Sequence, residues 1–516
     1  MPATESYQTR SIYLEGGQRD NIEPVLRDNI GPGSLIDSQN MESGLKGGYA
    51  RLKGYAKYDT AEVPGSGNIL GCFVFNNGVL ACRGTAIYHS TGSGWGSDIA
   101  PSARTSAGFY RATDYTWSAG KRICLVDGVN WPVRFVGTTG TDLSSTVQGA
   151  TSVREFKNRL IFAKEGTITY TAADDDTDVT TGNGGGAIVI GDTITGLATA
   201  RNALYIFCLH SIHRLTGSSA SDFAVEPVTE DFGCVYPDTI EELLDDILFL
   251  GPDGIRTISA TEKNVDVSLD TVSRPVQETI LDNIQTFGEA GGRIVGISVD
   301  SKSQYRLFFA KSTVTAANSP GINACLDQGA QGNRSWEFFK TLGIQVVTAD
   351  HGRLDDNSEL IIHASYGGYV YKQEFGDNFD GSNISAFIQL PFLYFDDPAV
   401  RKVFYKLKLV GEVEGSAVAE LTSQLLLDDE DTGIIQPSSI DMTTNIPTTI
   451  AIYGFTGGIN GTRYGTSVYG QGANKNYQVG LVGGGFNGSF KISSNDSLPA
   501  YTLKTLIIEY MLGARQ

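Results

Sequence analysis

The sequence predicts an all-β protein in which a β-propeller-like repeat of hairpins is followed by a β-sandwich-like C-terminal domain, with few short helices. Three observations carry this expectation: an apolar run breaks at a small polar turn and resumes seven times, glycine reaches 62 of 516 residues, and Tyr and Phe number 23 and 24. Val, Ile, Tyr, Phe and Thr suit a pleated, half-buried surface, and abundant glycine serves the turns between short strands.

In chain order the seven hairpins are VLACRGTAIYHS from Val79, RICLVDGVNWPVRFVG from Arg122, RLIFAKEGTITYTA at Arg159–Ala172, LYIFCLHSIHRLTG at Leu204–Gly217, ILFLGPDGIRTISA at Ile247–Ala260, YRLFFAKSTV from Tyr305 and LIIHASYGGYVYKQEF from Leu360. Glu165-Gly166 and Asp253-Gly254 are placed to supply the positive φ that tight hairpin turns demand. Successive hairpins start roughly 40 residues apart, stretching to about 55 late in the chain, a spacing that fits propeller blades and leaves room for a second hairpin in each.

Around this repeat the chain divides into three parts. Residues 1–60 are expected to form an extended, loop-rich segment punctuated by Gly16-Gly17, Gly31-Pro32-Gly33 and Gly47-Gly48, too small to fold alone and tied down by the rest of the chain or by a neighbouring subunit. Residues 61–383 form the propeller-like domain. Inside it, Asp238 with Glu241 three residues on predicts one short capped helix, and Ser273 with Pro275 another. Residues 384–516 read as the sandwich, because Val403, Tyr405, Leu407 and Leu409 alternate as in a sheet with one buried face. A long Gly/Tyr loop at 454–490 interrupts it, a candidate for surface or subunit contact.

The formal net charge is −19, and residues 61–383 hold 38 acidic against 23 basic side chains. Duplex binding is driven by Lys and Arg displacing condensed counterions, so such a surface disfavours tight nucleic-acid binding while permitting DNA to slide past. Cys72, Cys82, Cys124, Cys208, Cys234 and Cys325 contain no CxxC pair and read as buried thiols. The opening MPATESYQTRSIYLEGG lacks a basic and apolar leader, and no run of about 18 apolar residues occurs, so the expectation is a chain made in a reducing cytoplasm without a membrane span.

No catalytic, cofactor or metal residues are assigned. His210 and His213 are the only close histidine pair, and positions three apart on a strand face opposite sides. Asp174-Asp175-Asp176 with Asp178, and Asp428-Asp429-Glu430-Asp431, lack the glycine and bidentate glutamate of an EF-hand and read as solvated loop tips. GNGGGAIVIGD at Gly182–Asp192 lacks the GK[ST] ending of a phosphate loop and reads as a turn before a strand. A single Asp-box-like phrase runs from Thr229 to Tyr236, without an arginine cluster to accompany it.

Five phrases together resemble the tail nozzle proteins of short-tailed bacteriophages, the family of packaged-DNA stabilisation proteins and tail tubular proteins of the second kind. They are SLIDSQNMESGLKGGYARLKGY at Ser34–Tyr55, NRLIFAKEGTITYTAADDDTD at Asn158–Asp178, IVIGDTITGLATARNALYIFCLHSIHRLTG at Ile188–Gly217, EDFGCVYPDTIEELLDDILFLGPDGIRTIS at Glu230–Ser259, and the closing Ala399-Val400-Arg401-Lys402 with Gly513-Ala514-Arg515. The resemblance implies a structural virion protein with no enzyme activity: a homo-hexameric ring below the head-to-tail adaptor, assembled in the host bacterial cytoplasm. It would meet tail fibres or tailspikes and conduct and retain duplex DNA without sequence-specific binding. The competing expectation is a propeller that binds or hydrolyses surface carbohydrate, which needs clustered acids and exposed tryptophan in one cleft; Trp95, Trp117, Trp131 and Trp336 are the four available.

Overall fold

A computed structural model describes residues 7–21, 31–106, 108–117, 120–262, 271–289, 291–327, 335–395, 397–414, 419–430, 435–442 and 475–515. The chain forms two compact units: Lys57–Gly321 with Gly343–Gln373, and Met1–Ala56 with Ile322–Leu342 and Glu374–Gln516.

The first unit is a propeller of seven blades among the described residues. Their inner strands, in chain order, are Ile69–Phe75, Arg111–Trp117, Ser152–Glu155, Ile194–Ala200, Glu241–Leu243, Gly292–Val299 and Thr348–Arg353. Each adjoins the next, and the seventh packs back on the first, so the ring is closed. The second and third strands of each blade are where the sequence hairpins lie, as in Leu160–Lys164 with Thr167–Tyr170 and Asp246–Gly251 with Gly254–Thr257. In blades two, three and four a fourth strand completes the sheet: Thr139–Asp142, Gly186–Val189 and Ala224–Thr229. The first-to-second turns use paired left-handed residues, Asn76-Asn77, Arg201-Asn202 and Leu244-Asp245, all with φ between 49° and 63°. These are the twist-matched geometries of two-residue hairpins. In the next turn of blades three and five the positive φ falls on Glu165 (52°) and Gly254 (143°).

The core lies between blades. Phe73, Leu80 and Ile87 of blade one pack on Ile123, Leu125 and Phe135 of blade two. Leu204 and Ile206 of blade four meet Ile161 and Ile168 of blade three. At the closing seam, Ile69, Cys72 and Val79 of blade one pack on Ile362, Ala364 and Val370 of blade seven. The incoming chain reinforces that seam, because the Tyr58 and Val63 amides donate to Val370 and Gly368 of the last blade at 2.8 and 2.9 Å.

Helices are few, as expected, but one was misplaced. Asp238–Asp246 is not a capped helix: Pro237–Thr239 is a single 3-10 turn and Glu241–Leu243 is the inner strand of blade five, paired with Asp246–Leu248. Tertiary demands override the capping pattern, since Asp238 is engaged by two arginines and Thr239 Oγ1 accepts from the Leu250 amide at 3.1 Å. The second helix forms as Gln277–Phe287 behind a 3-10 turn, Arg274–Val276, that contains Pro275. Ser273 does not cap it; its hydroxyl accepts from the Ile255 amide at 2.8 Å.

The second unit contains two sheets. One joins Gln8–Tyr13, Met41–Ser43, Tyr49–Arg51, Val400–Val413, Lys475–Gly480, Gly484–Gly485 and Tyr501–Arg515; the other joins Asp37–Gln39, Ile384–Gln389, Thr422–Leu427, Ile440–Asp441 and Gly488–Asp496. Phe404 and Tyr510 of the first sheet meet Phe395 and Phe490, ring centroids 4.9–6.5 Å apart, which gives the sandwich an aromatic centre.

The boundaries therefore differ from those read at residues 60 and 383. The described residues before Tyr55 are not a separate extended segment; they give the sandwich the strands Gln8–Tyr13, Asp37–Gln39, Met41–Ser43 and Tyr49–Arg51. Gln8–Tyr13 pairs with Thr505–Tyr510, and the fully buried Arg51 binds Asp496 at 2.5 Å. Ile322–Leu342 also counts with the sandwich, where the Asn40 amide donates to Lys340 O at 2.9 Å and the Leu342 amide to Asn40 Oδ1 at 2.9 Å. Pairing across hundreds of residues leaves no local trace in the sequence. Of the loop at 454–490, residues 454–474 lie outside the described residues.

Candidate functional site: the axial cavity of the propeller

The inner strands enclose a cavity of about 630 Å³. An inner strand must pack one face on neighbouring blades and present the other to the axis, and here the axial positions are charged. Blade two supplies Arg111 and Asp114, blade three Arg154, blade five Glu241 and Glu242, blade six Arg293, and blade seven Asp350, His351 and Arg353; Asp238 enters from the turn before blade five.

Two bridges span the axis. Asp238 accepts from Arg111 Nε at 2.8 Å and lies 2.7 Å from Arg293 Nη2. Burial pushes its carboxyl up, but the two guanidinium groups outweigh burial and hold it below the usual range. Arg293 also lies 3.6 Å from the centroid of the Phe109 ring, a cation–π contact. Glu242 accepts from the Thr199 amide and hydroxyl at 2.7 and 3.0 Å and pairs with Arg154.

The remaining acids are under-neutralised. Burial first, and the neighbouring Asp350 second, push Glu241 up to about 8. Asp350 rises to about 7 through burial and Asp114, although its Oδ2 accepts from the Val74 amide at 2.7 Å. Ser298 Oγ stands 3.4 Å from Glu241 and 3.2–3.3 Å from both ring nitrogens of His351. His351 in turn lies 3.8 Å from Glu241 and 4.0 Å from Asp300. Serine, histidine and carboxylate thus adjoin, but Ser298 is fully buried and both imidazole nitrogens crowd one hydroxyl. In the structure that hydroxyl bridges Glu241 and His351.

Of these residues only Asp238 and Glu241 stood out in the sequence, as a helix cap, and none reads there as part of a site. The inner strands that carry them are largely polar, as SVRE with Arg154 and TADHGR with Asp350, so they lack the apolar signature of the hairpins. The residues weighed from sequence lie elsewhere. His210 contacts Asp192 at 3.4 Å and His213 contacts Ser211 at 3.0 Å. Among the described residues no group of three His, Cys, Asp or Glu side chains is placed to hold a metal ion. All six cysteines are free and buried. Thr181–Asn183 is a turn before the edge strand Gly186–Val189. In the Asp-box phrase Asp231 is exposed, and Gly233 is required because a Cβ there would sit 2.0 Å from Cys208 O. Asp428 accepts from the Phe486 amide at 2.6 Å, while Asp431 lies outside the described residues. Trp117 is buried, and no tryptophan is among the residues lining the cavity.

One acid in the Asp-rich loops contradicts its reading as a solvated tip. Asp176 is buried, and its carboxylate accepts from Arg134 and from the Tyr115 hydroxyl at 2.8 Å each, and from Arg122. Those three donors stand on three strands of blade two, so the loop after Tyr170 buckles blade three onto its neighbour. Asp174 and Asp175 do face solvent.

No family model matches the chain, and no curated protein does. Among solved structures it is similar to the Neurospora crassa Pan2 WD40 domain, at 8% identity and a TM-score of 0.38 over 64% of this chain and 98% of that one. The AfRom2 CNH domain is similar at 7% identity and 0.37, over 62% and 99%. The extracellular domain of the one-component system BT4673 of B. thetaiotaomicron is similar at 10% identity and 0.33, over 69% and 52%. These are likenesses of fold and bring no activity or partner to this chain.

Proposed function

We propose that the chain is a structural virion protein, a tail nozzle subunit that forms a homo-hexameric ring below the head-to-tail adaptor, carries fibres or spikes at its side, and conducts and retains duplex DNA. The observation that carries this reading is the braced axis. Ion pairs from opposed blades cross the one cavity a propeller offers for chemistry, and the space left suits a small molecule and not a duplex. The propeller axis then admits no duplex, and a conduit has to be enclosed by several copies of the chain. The acidic excess suits a wall that DNA slides past, because the propeller unit holds 34 Asp and Glu against 22 Lys and Arg.

The test is light scattering and electron microscopy of the full chain with and without the adaptor. A six-fold ring supports the reading. A strict monomer that forms no ring on the adaptor overturns it.

A further inference from the structure

A propeller blade ends on an outer strand whose free edge is a template for further pairing, and folded proteins usually cover it, charge it or interrupt it with proline. Blades one to five differ in this respect. In blade one the Ile99 and Gly96 amides donate to Ile87 O and His89 O of the last strand at 2.9 and 3.0 Å, so the segment that follows covers the edge. In blade five the Val272 amide does the same to Ile255 O at 3.0 Å. Blade two ends on the polar Thr139–Asp142, TGTD, and blade four on Ala224–Thr229, which carries Glu226 and Pro227. Blade three ends on Gly186–Val189, GAIV, with neither charge nor proline, Gly184-Gly185 before it and Gly191 shortly after.

The register of that strand fixes which of its groups are free. The Ile190 amide donates to Gly166 O at 2.8 Å, and the pairs Ile188 with Ile168 and Gly186 with Tyr170 follow in phase. Antiparallel strands alternate between hydrogen-bonded and open pairs, so Ala187 and Val189, opposite Thr169 and Thr167, turn N–H and C=O outward. Neither has a backbone partner on that side among the described residues. Both side chains are exposed, Val189 at 76%. On the other face Ile188 and Ile190, with Ala220, Phe223 and Val225 of blade four, rim the core between the two blades and are only partly buried. An added strand thus gains main-chain bonds and apolar cover at once.

Charge selects among strands. Glu165 and Asp192 stand at the Val189 end; at the Gly186 end Asp178 accepts from Asn183 Nδ2 at 2.5 Å, with the exposed Asp174 and Asp175 beyond it. The nearby cations are held in place, Lys164 on Gln148 O at 3.0 Å and the buried Arg159 on Thr171 O and Gly184 O at 2.5 and 2.6 Å. A second copy presenting the same strand antiparallel brings acid against acid, and two edges of 4 residues bury far less than the roughly 1,000 Å² of a stable interface. A basic segment meets no such repulsion.

We propose that the outer edge of blade three is a docking site for an extended segment of a partner protein, apolar at alternate positions and flanked at both ends by Lys or Arg, which joins the blade as a fifth strand. The site lies on blade three alone and does not depend on a ring, so its failure and the failure of the nozzle reading are separate results.

The full chain is titrated by calorimetry with the end-capped peptide Lys-Lys-Val-Thr-Val-Thr-Val-Lys-Lys, and amide hydrogen exchange is followed with and without it at low salt. At ten times the measured Kd the Ala187 and Val189 amides slow by about tenfold, because a bound chain exchanges only through its unbound fraction, about one in eleven at that concentration. The counterpart peptide with glutamate for every lysine leaves them unchanged, and raising the salt weakens the basic one. Ala187→Pro removes an outward N–H and no bond to Thr169, and Val189→Lys sets a charge of the peptide's own sign at an exposed position; each lowers affinity by about fivefold or more at an unchanged melting temperature. No slowing of these amides by the basic peptide, equal slowing by the acidic one, or affinity unaltered by Val189→Lys overturns the proposal. Slowing that grows with chain concentration alone also overturns it, and makes the occupant a second copy.

Discussion

Asp176 is one carboxylate against two arginines and a tyrosine, and removing it should loosen blade three from blade two. Asp176→Ala leaves Arg122 and Arg134, whose side chains are only 14% and 18% exposed, without their shared anion. Breaking a buried pair by deleting one partner costs about 3–5 kcal/mol, and the residual water access of the arginines favours the lower end, about 3 kcal/mol. For a unit of roughly 300 residues the unfolding entropy is about 0.6 kcal/mol/K, so the midpoint of the propeller transition should fall by about 5 °C. Differential scanning calorimetry of the full chain reads this directly. Asp175→Ala is the internal control, because that side chain is exposed and touches no arginine, accepting from Thr177 at 2.9 and 2.7 Å; its shift should stay within about 1 °C. If Asp176→Ala shifts no more than Asp175→Ala, the clamp contributes nothing and the argument from geometry fails.

Three further outcomes are expected. Asp238→Asn should cost about 2–3 kcal/mol at pH 7, and the gap to wild type should close as pH falls below about 4, because its carboxyl is held low by Arg111 and Arg293 and its contribution disappears on protonation; melts from pH 2.5 to 7 check this. Asn323 is fully buried with neither amide atom hydrogen-bonded, so Asn323→Val should raise the denaturant midpoint by about 1 kcal/mol equivalent, whereas a drop would reveal a partner for the amide. Gly17 has φ of 63°, and a Cβ there would lie 2.8 Å from the Phe338 amide nitrogen, so Gly17→Ala should cost about 1–2 kcal/mol and expose the first twenty residues to limited proteolysis.

The hairpins were legible because both halves of the signal are local: apolar strands of Val, Ile and Phe, and a turn such as Glu165-Gly166 between them. The inner strands were not, since a strand facing a charged axis carries Arg154 or Glu241 where alternation calls for a core residue. Asp238 with Glu241 three residues on even imitates a helix start, and only the pairing of Glu241–Leu243 with Asp246–Leu248 decides for a strand. Asp176 is indistinguishable from Asp174 and Asp175 in the text. Its burial is settled by arginines 42 and 54 residues away, a separation at which spacing carries no information. For the same reason the site itself was invisible: Glu241 and Asp350 come together only when seven blades close.

The sandwich has a consequence in time. The strand Gln8–Tyr13 leaves the ribosome ahead of the propeller, yet its partner lies in Tyr501–Arg515, about 490 residues later. At about 5–20 residues per second it waits roughly 25–100 s with its edge unpaired. The propeller needs no such delay, because its opening residues at Tyr58 pair with its own last blade at Val370. The blades can therefore close while the sandwich is still in pieces, and any surface that needs the finished sandwich comes into being only once Tyr501–Arg515 has been made.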